Sequence, residues 1–263
     1  MKIHTFVIGC ALALALFLFA QQRRAETVLP SGFRAVVDLT HTINDKVPPF
    51  SPNQSQDYKV TVEDTIEKNN VFVRKFSMPE HYGTHIDAPA HFAKGLWTVD
   101  QIPAERLIAP MVVLDIRKKT NTDADYQLSV QDIADWEQVH GQIPGNAVVM
   151  LDTGWGSHWN SVKDFRNVDA KGVMHFPGYS VEAAKFLTEA RAALGLGIDT
   201  LSVDYGPATD FPVHQFTMSR SVYHLEDVAN LDLLPATGST VVVAPIKLEG
   251  GSGGPVRILA LVR

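Results

Sequence analysis

The chain has 263 residues, of which 45% are hydrophobic and 20% charged, and its formal net charge is −6 at pH 7. This length and composition are typical of a globular protein with the core of one α/β domain. No run of Lys or Arg forms a basic stripe, which excludes a nucleic-acid partner and favours a small-molecule partner.

The first 25 residues resemble a targeting segment. An apolar run over residues 5–20 is too short for a comfortable membrane span. We therefore predict a signal peptide at 1–25, a mature domain at 26–263, a secreted or periplasmic location and no membrane contact after cleavage. The cleavage site is poor, since Leu18 and Arg23 stand where small residues are favoured. A retained anchor is the alternative.

Two short features qualify the chemistry of the mature chain. Cys10 is the single cysteine and would leave with the signal, which excludes a disulfide and a thiol nucleophile. Asn53 begins a sequence that fits an N-glycosylation sequon, and this matters only in a eukaryotic host.

Short apolar or β-branched runs predict strands along the mature chain. They lie at 35–40, 58–63, 71–76, 111–116, 147–152, 200–203, 240–246 and 256–262. The second and third runs predict an antiparallel pair. Helices are predicted after the capping residues Ser129 and Ser180, and the glycine-rich stretch 249–255 predicts a loop. Paired strands with few helices favour an α/β or α+β fold with a mixed sheet.

Residues 81–91 bring three imidazoles and one carboxylate together in eleven positions. His81 and His85 are four apart, as on one face of a helix, but a glycine and a proline within the stretch argue against a helix. If the chain is extended after a turn at Gly83, His85 and Asp87 point to one side, and His81 can reach that side. The stretch therefore predicts a nitrogen and oxygen site suited to zinc or manganese.

His91 follows these three candidate ligands but need not be one, because Pro89 intervenes. A free imidazole beside an activated water is what acid/base hydrolysis requires. We therefore predict that His91 is the catalytic acid/base. A set of structural histidines paired with neighbouring carboxylates is the alternative.

The pattern H-x-G-T-H-x-D-x-P-x-H at residues 81–91 resembles the signature of the metal-dependent cyclase-like hydrolases. This family contains bacterial kynurenine formamidase and isatin hydrolase. The resemblance extends from about residue 35 to the carboxyl terminus. Other segments similar to family landmarks lie at 38–41, 153–155, 197–200 and 226–231.

The resemblance implies a role for each candidate residue. His81, His85 and Asp87 would bind a first metal, with His91 as the acid/base. A second metal, bridged by Asp87, would be completed by His214 and Glu226. The resemblance is compatible with one or with two ions per subunit, and with zinc or manganese. The resemblance also implies a single-domain swivelling β/β/α-type fold with a mixed β-sheet and flanking helices, assembled as a homodimer or homotetramer.

The predicted function is metal-dependent hydrolysis of a C–N bond in a small amide. A cyclic amide such as isatin is preferred over an N-formyl arylamine, because an extracytoplasmic address fits poorly with tryptophan catabolism. The alternative is a non-catalytic metal or small-molecule binding module of the same fold. The presence of His91 argues against that module, because a binding site needs no free base.

A serine hydrolase is a further rival, because residues 250–254 satisfy the G-x-S-x-G pattern around Ser252. That motif requires a preceding strand, a following helix and a later histidine. Here a strand-like run follows and no histidine lies beyond Ser252, so we predict a glycine-rich connection instead.

The remaining histidines and the aromatic residues are less informative. His41 could face the site or simply end a strand. We predict structural or solvated roles for His140, His158, His175 and His224. Two roles are possible for four aromatic residues, either the wall of a substrate pocket or a position in the core: Phe50, Trp97, Trp155 and Phe176.

Overall fold

The computed structural model describes residue 29 and residues 31–52 and 58–263. The predicted signal peptide and the Asn53 sequon lie outside the described residues. The chain divides into two units, Met1–Phe33 and Arg34–Arg263, and every element below belongs to the second. No described helix is both long and apolar enough to cross a bilayer.

The described residues form twelve strands and six short α-helices. The strands are β1 (Ala35–Asp38), β2 (Lys59–Asp64), β3 (Val73–Ser77), β4 (His85–Asp87), β5 (Ile108–Asp115), β6 (Gln127–Leu128), β7 (Val148–Asp152), β8 (Gly178–Tyr179), β9 (Gly195–Ile198), β10 (Tyr223–Glu226), β11 (Ser239–Pro245) and β12 (Gly253–Val262). The helices are α1 (Ile66–Asn69), α2 (Arg117–Thr120), α3 (Val130–His140), α4 (Val162–Arg166), α5 (Val181–Lys185) and α6 (Pro212–Met218). A π-helical turn, Phe186–Ala190, extends α5.

Eight strands form one mixed sheet that closes on itself. Its order is β1-β12-β11-β5-β7-β9-β10-β4, and β4 also pairs with β12. The neighbours β5, β7, β9 and β10 run parallel, whereas the other pairings are antiparallel. The result is a barrel-like sheet in a single α/β domain, which confirms the predicted fold class.

Both faces of the central strands are buried, because successive side chains point to opposite sides of a strand. Met111 and Val113 of β5 join one apolar cluster with β11 and β12, while Val112 and Leu114 join a second. The second cluster also contains Ile133 of α3, so this helix covers the outer face of the sheet. The short apolar runs at 111–116 and 147–152 therefore predicted buried strands correctly.

Several local predictions are confirmed. The strands β2 and β3 form the expected antiparallel pair. Ser129 caps α3 through a capping box, since its hydroxyl accepts from Asp132 N at 3.2 Å and Ser129 N donates to Asp132 Oδ2 at 2.8 Å. The hydroxyl of Ser180 likewise accepts from Ala183 N at the start of α5. Side-chain caps of this kind satisfy backbone donors that lack a partner inside the helix.

Two predictions are wrong. The strand predicted at 200–203 lies earlier, at β9. Its two glycines give little sequence signal for a strand. They are required there because a Cβ on Gly195 or Gly197 would overlap Tyr223 or Met150. The loop predicted at 249–255 ends early, because β12 begins at Gly253. A Cβ on Gly253 would lie 2.5 Å from Ile86 O of β4 and 2.6 Å from His81 Cε1, so glycine permits this close approach of the two strands.

Candidate active site

The short strand β4 lies between β10 and β12 and brings distant residues to one face of the sheet. His85 is opposite Glu226 and Asp87 is opposite His224 in the β4–β10 ladder. Since Ile86 packs into the apolar interior, its neighbours His85 and Asp87 point the other way. All four opposed side chains therefore share one buried face.

The carboxylate of Asp87 is the centre of this arrangement. His81 Nδ1 lies 2.6 Å and His85 Nε2 3.2 Å from Asp87 Oδ1. His214 Nε2 of α6 lies 3.4 Å from the other oxygen, Oδ2. The turn that brings His81 back to this point passes through Gly83, whose φ is +65°. The extended reading of residues 85–87 is thus confirmed.

Donor atoms fall into two overlapping groups whose members lie within 4.8 Å of one another. One group contains His81, His85 and Asp87. The other contains Asp87, His214, Glu226 and also His224. His214 Nε2 is 3.3 Å from Glu226 Oε1, and His85 Nε2 is 3.5 Å from Glu226 Oε2. Imidazole and carboxylate donors at such spacing fit a divalent metal ion.

His91 lies beside these groups and belongs to neither of those identified in the described residues. It sits in the 3₁₀ turn Pro89–His91, and its ring stacks on that of His81 with centroids 4.1 Å apart. Burial lowers the pKa of His91 to about 4, so the imidazole is neutral at pH 7 and can accept a proton.

The electrostatics of the cluster favour a cation. Burial opposes a charge on His85, but Asp87 and Glu226 raise its pKa, to about 10. Burial would raise the pKa of Asp87, but its three imidazole neighbours hold this pKa well below the usual range. The ionised carboxylates thus retain protons on nearby imidazoles, and a divalent cation would replace those protons.

In each of the three histidines that contact Asp87, the other ring nitrogen lies within hydrogen-bonding distance of an oxygen atom. His85 Nδ1 lies 2.7 Å from Gly83 O, and His214 Nδ1 lies 2.6 Å from Asp204 Oδ2. His81 Nε2 lies 2.9 Å from the hydroxyl of Ser252. Such outer partners fix the ring orientation and tautomer of metal-binding histidines.

Ser252 lies in the predicted connection, between β11 and β12, and its side chain nevertheless reaches the site. Its hydroxyl donates to Glu80 Oε2 at 2.7 Å, and its backbone N–H donates to the same oxygen at 2.9 Å. The sequence offered no local signal for this contact, because 171 positions separate Ser252 from His81. Asp204 was not recognised for the same reason, and the structural or solvated role predicted for His224 did not anticipate its buried place in the second donor group.

A cleft of about 320 Å³ opens over the cluster. Phe50, Phe92 and Phe211 wall it, with ring centroids 6.1 Å apart for Phe50 and Phe211 and 5.6 Å for Phe92 and Phe211. Its volume lies within the usual range for small ligands, about 300–1,000 Å³. Among the aromatic candidates from sequence, Phe50 lines the cleft, while Trp155 and Phe176 pack in the core.

His41, which could have faced the site, lies elsewhere. Its ring stacks on Trp159 with centroids 3.8 Å apart, and it lines a second cavity with Arg117 and Asp152. Burial lowers the pKa of His41 to about 4. It is therefore a packed, neutral side chain outside the candidate active site.

Comparison with known proteins gives consistent matches. The family model described as "Putative cyclase" matches residues 37–205. Isatin hydrolase of Roseibium aggregatum is 36% identical over 191 residues, 70% of this chain and 72% of that protein. Kynurenine formamidase of Salinibacter ruber is 22% identical over 223 residues, 85% of this chain and 95% of that protein. The solved isatin hydrolase A from Ralstonia solanacearum matches with a TM-score of 0.81 and 33% identity, covering 96% of this chain and 97% of that one.

Proposed function

The chain belongs to the cyclase family of metal-dependent hydrolases, and on this premise we propose that it opens a cyclic aryl amide of the isatin type. An N-formyl arylamine, the class named by the kynurenine formamidase relatives, is the second substrate candidate. One observation carries the proposal. A neutral imidazole, His91, stands beside a three-donor group at the base of an aromatic cleft.

The donor set defines how the site would hold its cofactor. His81, His85 and Asp87 would hold a first zinc or manganese ion, and His214 and Glu226 would be available, together with Asp87, for a second. When bound, such an ion lowers the pKa of water from ~15.7 towards ~7 and polarises the amide carbonyl. The outer oxygens on Gly83, Asp204 and Ser252 support this assignment, because metal-binding histidines usually have such partners.

His91 moves the proton during hydrolysis. Its uncharged ring nitrogen accepts the proton of the attacking water and returns it to the leaving amide nitrogen, so the C–N bond breaks without a covalent intermediate. Stacking on His81 keeps the ring next to the donor group without occupying a ligand position. No serine or cysteine nucleophile takes part.

The cleft selects the substrate. Phe50, Phe92 and Phe211 offer apolar walls to a flat aromatic ring. The fused rings of an isatin-type amide fit this wall as one rigid unit, whereas an N-formyl arylamine carries a flexible chain. The greater similarity to isatin hydrolase points the same way.

The test of the proposed function is the variant His91→Ala. General acid–base catalysis contributes ~10²–10⁴-fold, so we expect hydrolysis of isatin to fall by about that factor with unchanged metal content. His158→Ala is the matched control, because His158 is exposed outside the cleft. Loss of metal together with activity would contradict a separate role for His91, and turnover of N-formylkynurenine alone would replace the substrate assignment.

A serine-hydrolase mechanism is the rival that the geometry raises. Ser252, His81 and Asp87 are connected as in a catalytic triad, at 2.9 Å and 2.6 Å. However, the Ser252 hydroxyl donates its proton to Glu80, so it accepts from His81 Nε2 and the imidazole cannot act as its base. The described lining of the cleft also does not include Ser252.

We also propose that the chain is exported and assembles as a homodimer or homotetramer. The β2–β3 hairpin exposes Val60, Val62 and Phe76 to solvent, and a two-stranded ribbon with apolar faces is marginal alone in water. This supports a homodimer or homotetramer, and Phe76→Glu should shift the mass measured by light scattering towards the monomer. Sequencing the amino terminus of exported protein tests cleavage after residue 25.

A further inference from the structure

His224 is the one member of the second donor group to which no role has been given. It lies on β10 directly opposite Asp87, and its side chain is completely buried. One of its ring nitrogens lies within 4.8 Å of donor atoms of Asp87, His214 and Glu226. Its ring is also edge-on to His214, with centroids 4.6 Å apart.

Hydrogen bonding defines the tautomer of His224. Its Nε2 lies 2.7 Å from the hydroxyl of Thr217, and that hydroxyl donates to Val213 O at 2.7 Å. A hydroxyl has a single proton, so Thr217 must accept from His224 Nε2–H if both contacts are hydrogen bonds. The neutral ring then carries its free lone pair on Nδ1.

His224 Nδ1 has no hydrogen-bond partner in the described part of the chain. A proton there would be a buried donor without an acceptor, which is destabilising and argues for the lone pair. An imidazole whose Nε2–H is anchored and whose Nδ1 lone pair is free has the state of a metal ligand. One ring nitrogen of His224 belongs to the second donor group, and Nδ1 is the nitrogen that is left without another partner in the described part of the chain.

We propose that His224 Nδ1 is a direct ligand of a second divalent ion, together with Asp87, His214 and Glu226. This inference rests on the proposed function, because it concerns the same metal centre. Asp87 can serve both ions, since Oδ1 faces His81 and His85 while Oδ2 faces His214.

The two sites then differ in kind. The first group offers three protein donors and leaves a position open for water or substrate, as catalytic zinc sites do. The second group offers four protein donors, two imidazoles and two carboxylates, which would fill every position around a four-coordinate ion. The second ion is therefore structural and electrostatic: it neutralises the Asp87 and Glu226 carboxylates and holds β10 and α6 together.

The test uses the full chain, stripped with a chelator and titrated with Zn²⁺ alone. Elemental analysis and calorimetry should give two ions per wild-type chain and one for His224→Phe, which keeps the volume of the ring. Loss of a direct ligand should weaken the second site by more than ~100-fold, beyond the ~10–100-fold typical of an outer partner, and should leave the first site unchanged. His140→Ala on the exposed end of α3 is the control.

Thr217→Val keeps His224 but removes the acceptor of Nε2–H, so it should weaken the second site by about 10–100-fold. In ¹⁵N spectra of the wild type, Zn²⁺ should shift Nδ1 of His224 and leave Nε2 protonated. This readout holds even if His224→Phe fails to fold.

The outcomes separate the two proposals. A His224→Phe variant that binds two ions with wild-type affinity overturns the inference. So does a wild-type chain that binds one ion, although the proposed function then stands. A wild-type chain that binds no ion overturns both.

Discussion

Replacing Ser252 by Ala tests whether this hydroxyl positions His81 or attacks the substrate. The change removes the acceptor 2.9 Å from His81 Nε2 and the donor 2.7 Å from Glu80 Oε2. The backbone N–H of residue 252 still donates to Glu80, so the turn itself retains its anchor. The perturbation is therefore confined to the orientation and tautomer of one imidazole.

The size of the effect follows from the exposure of His81. Loss of an outer partner costs ~10–100-fold in metal affinity, or about 1.4–2.8 kcal/mol. The His81 side chain is 23% exposed, so water can partly replace the serine oxygen. We therefore expect a loss of about tenfold at the first site, with hydrolysis preserved at saturating metal.

Competition with a chromophoric chelator measures this affinity, and hydrolysis with excess metal measures turnover. Ser157→Ala is the matched control, because its hydroxyl donates to Gly154 O away from the cleft. Unchanged affinity in Ser252→Ala would refute the positioning role. Abolished hydrolysis by a variant that still holds its metal would identify Ser252 as the nucleophile and refute the mechanism proposed for His91.

Three further predictions concern stability and specificity. Gly195→Ala should lower the free energy of unfolding in urea by ~1–3 kcal/mol, because its methyl group would overlap the buried ring of Tyr223. Burial and the nearby Asp199 raise the pKa of Asp152 to about 7, so the folded chain retains a proton that the unfolded chain releases. The free energy of unfolding should therefore fall as pH rises from about 4 to about 7, and Asp152→Asn should flatten this dependence. Phe211→Ala should raise KM for isatin about fivefold to tenfold with little change in kcat, since one aromatic wall contributes ~1–1.4 kcal/mol; an unchanged KM would remove Phe211 from the binding wall.

The sequence predicted the part of the site that lies within one continuous segment of eleven residues. Residues 81–91 contain the turn, the strand and the 3₁₀ segment that present His81, His85, Asp87 and His91. His224 could not be assigned to the site in this way, because it lies beside Asp87 only when β10 pairs with β4 in one particular register. A register between strands more than a hundred residues apart is set by the packing of the whole sheet.

Ser252 illustrates the limit of reasoning from chain order. The absence of a later histidine argued against a triad, yet the β12–β4 pairing places an earlier histidine, His81, beside it. The misplaced strand at 200–203 has a related cause. β9 has the sequence Gly-Leu-Gly-Ile, which has weak intrinsic preference for a strand, and its glycines are required by close packing that no local pattern reveals.

The closure of the sheet through β4 links cofactor binding to folding. This three-residue strand joins β10 to β12, and two of its residues are the proposed ligands His85 and Asp87. An ion that binds only the folded barrel adds about 4 kcal/mol of stability when its free concentration is 1,000 times Kd. The shortest strand of the barrel would thus be held in place by the same ion that the proposed reaction uses. We therefore expect a chain depleted of metal to lose activity and resistance to heat together.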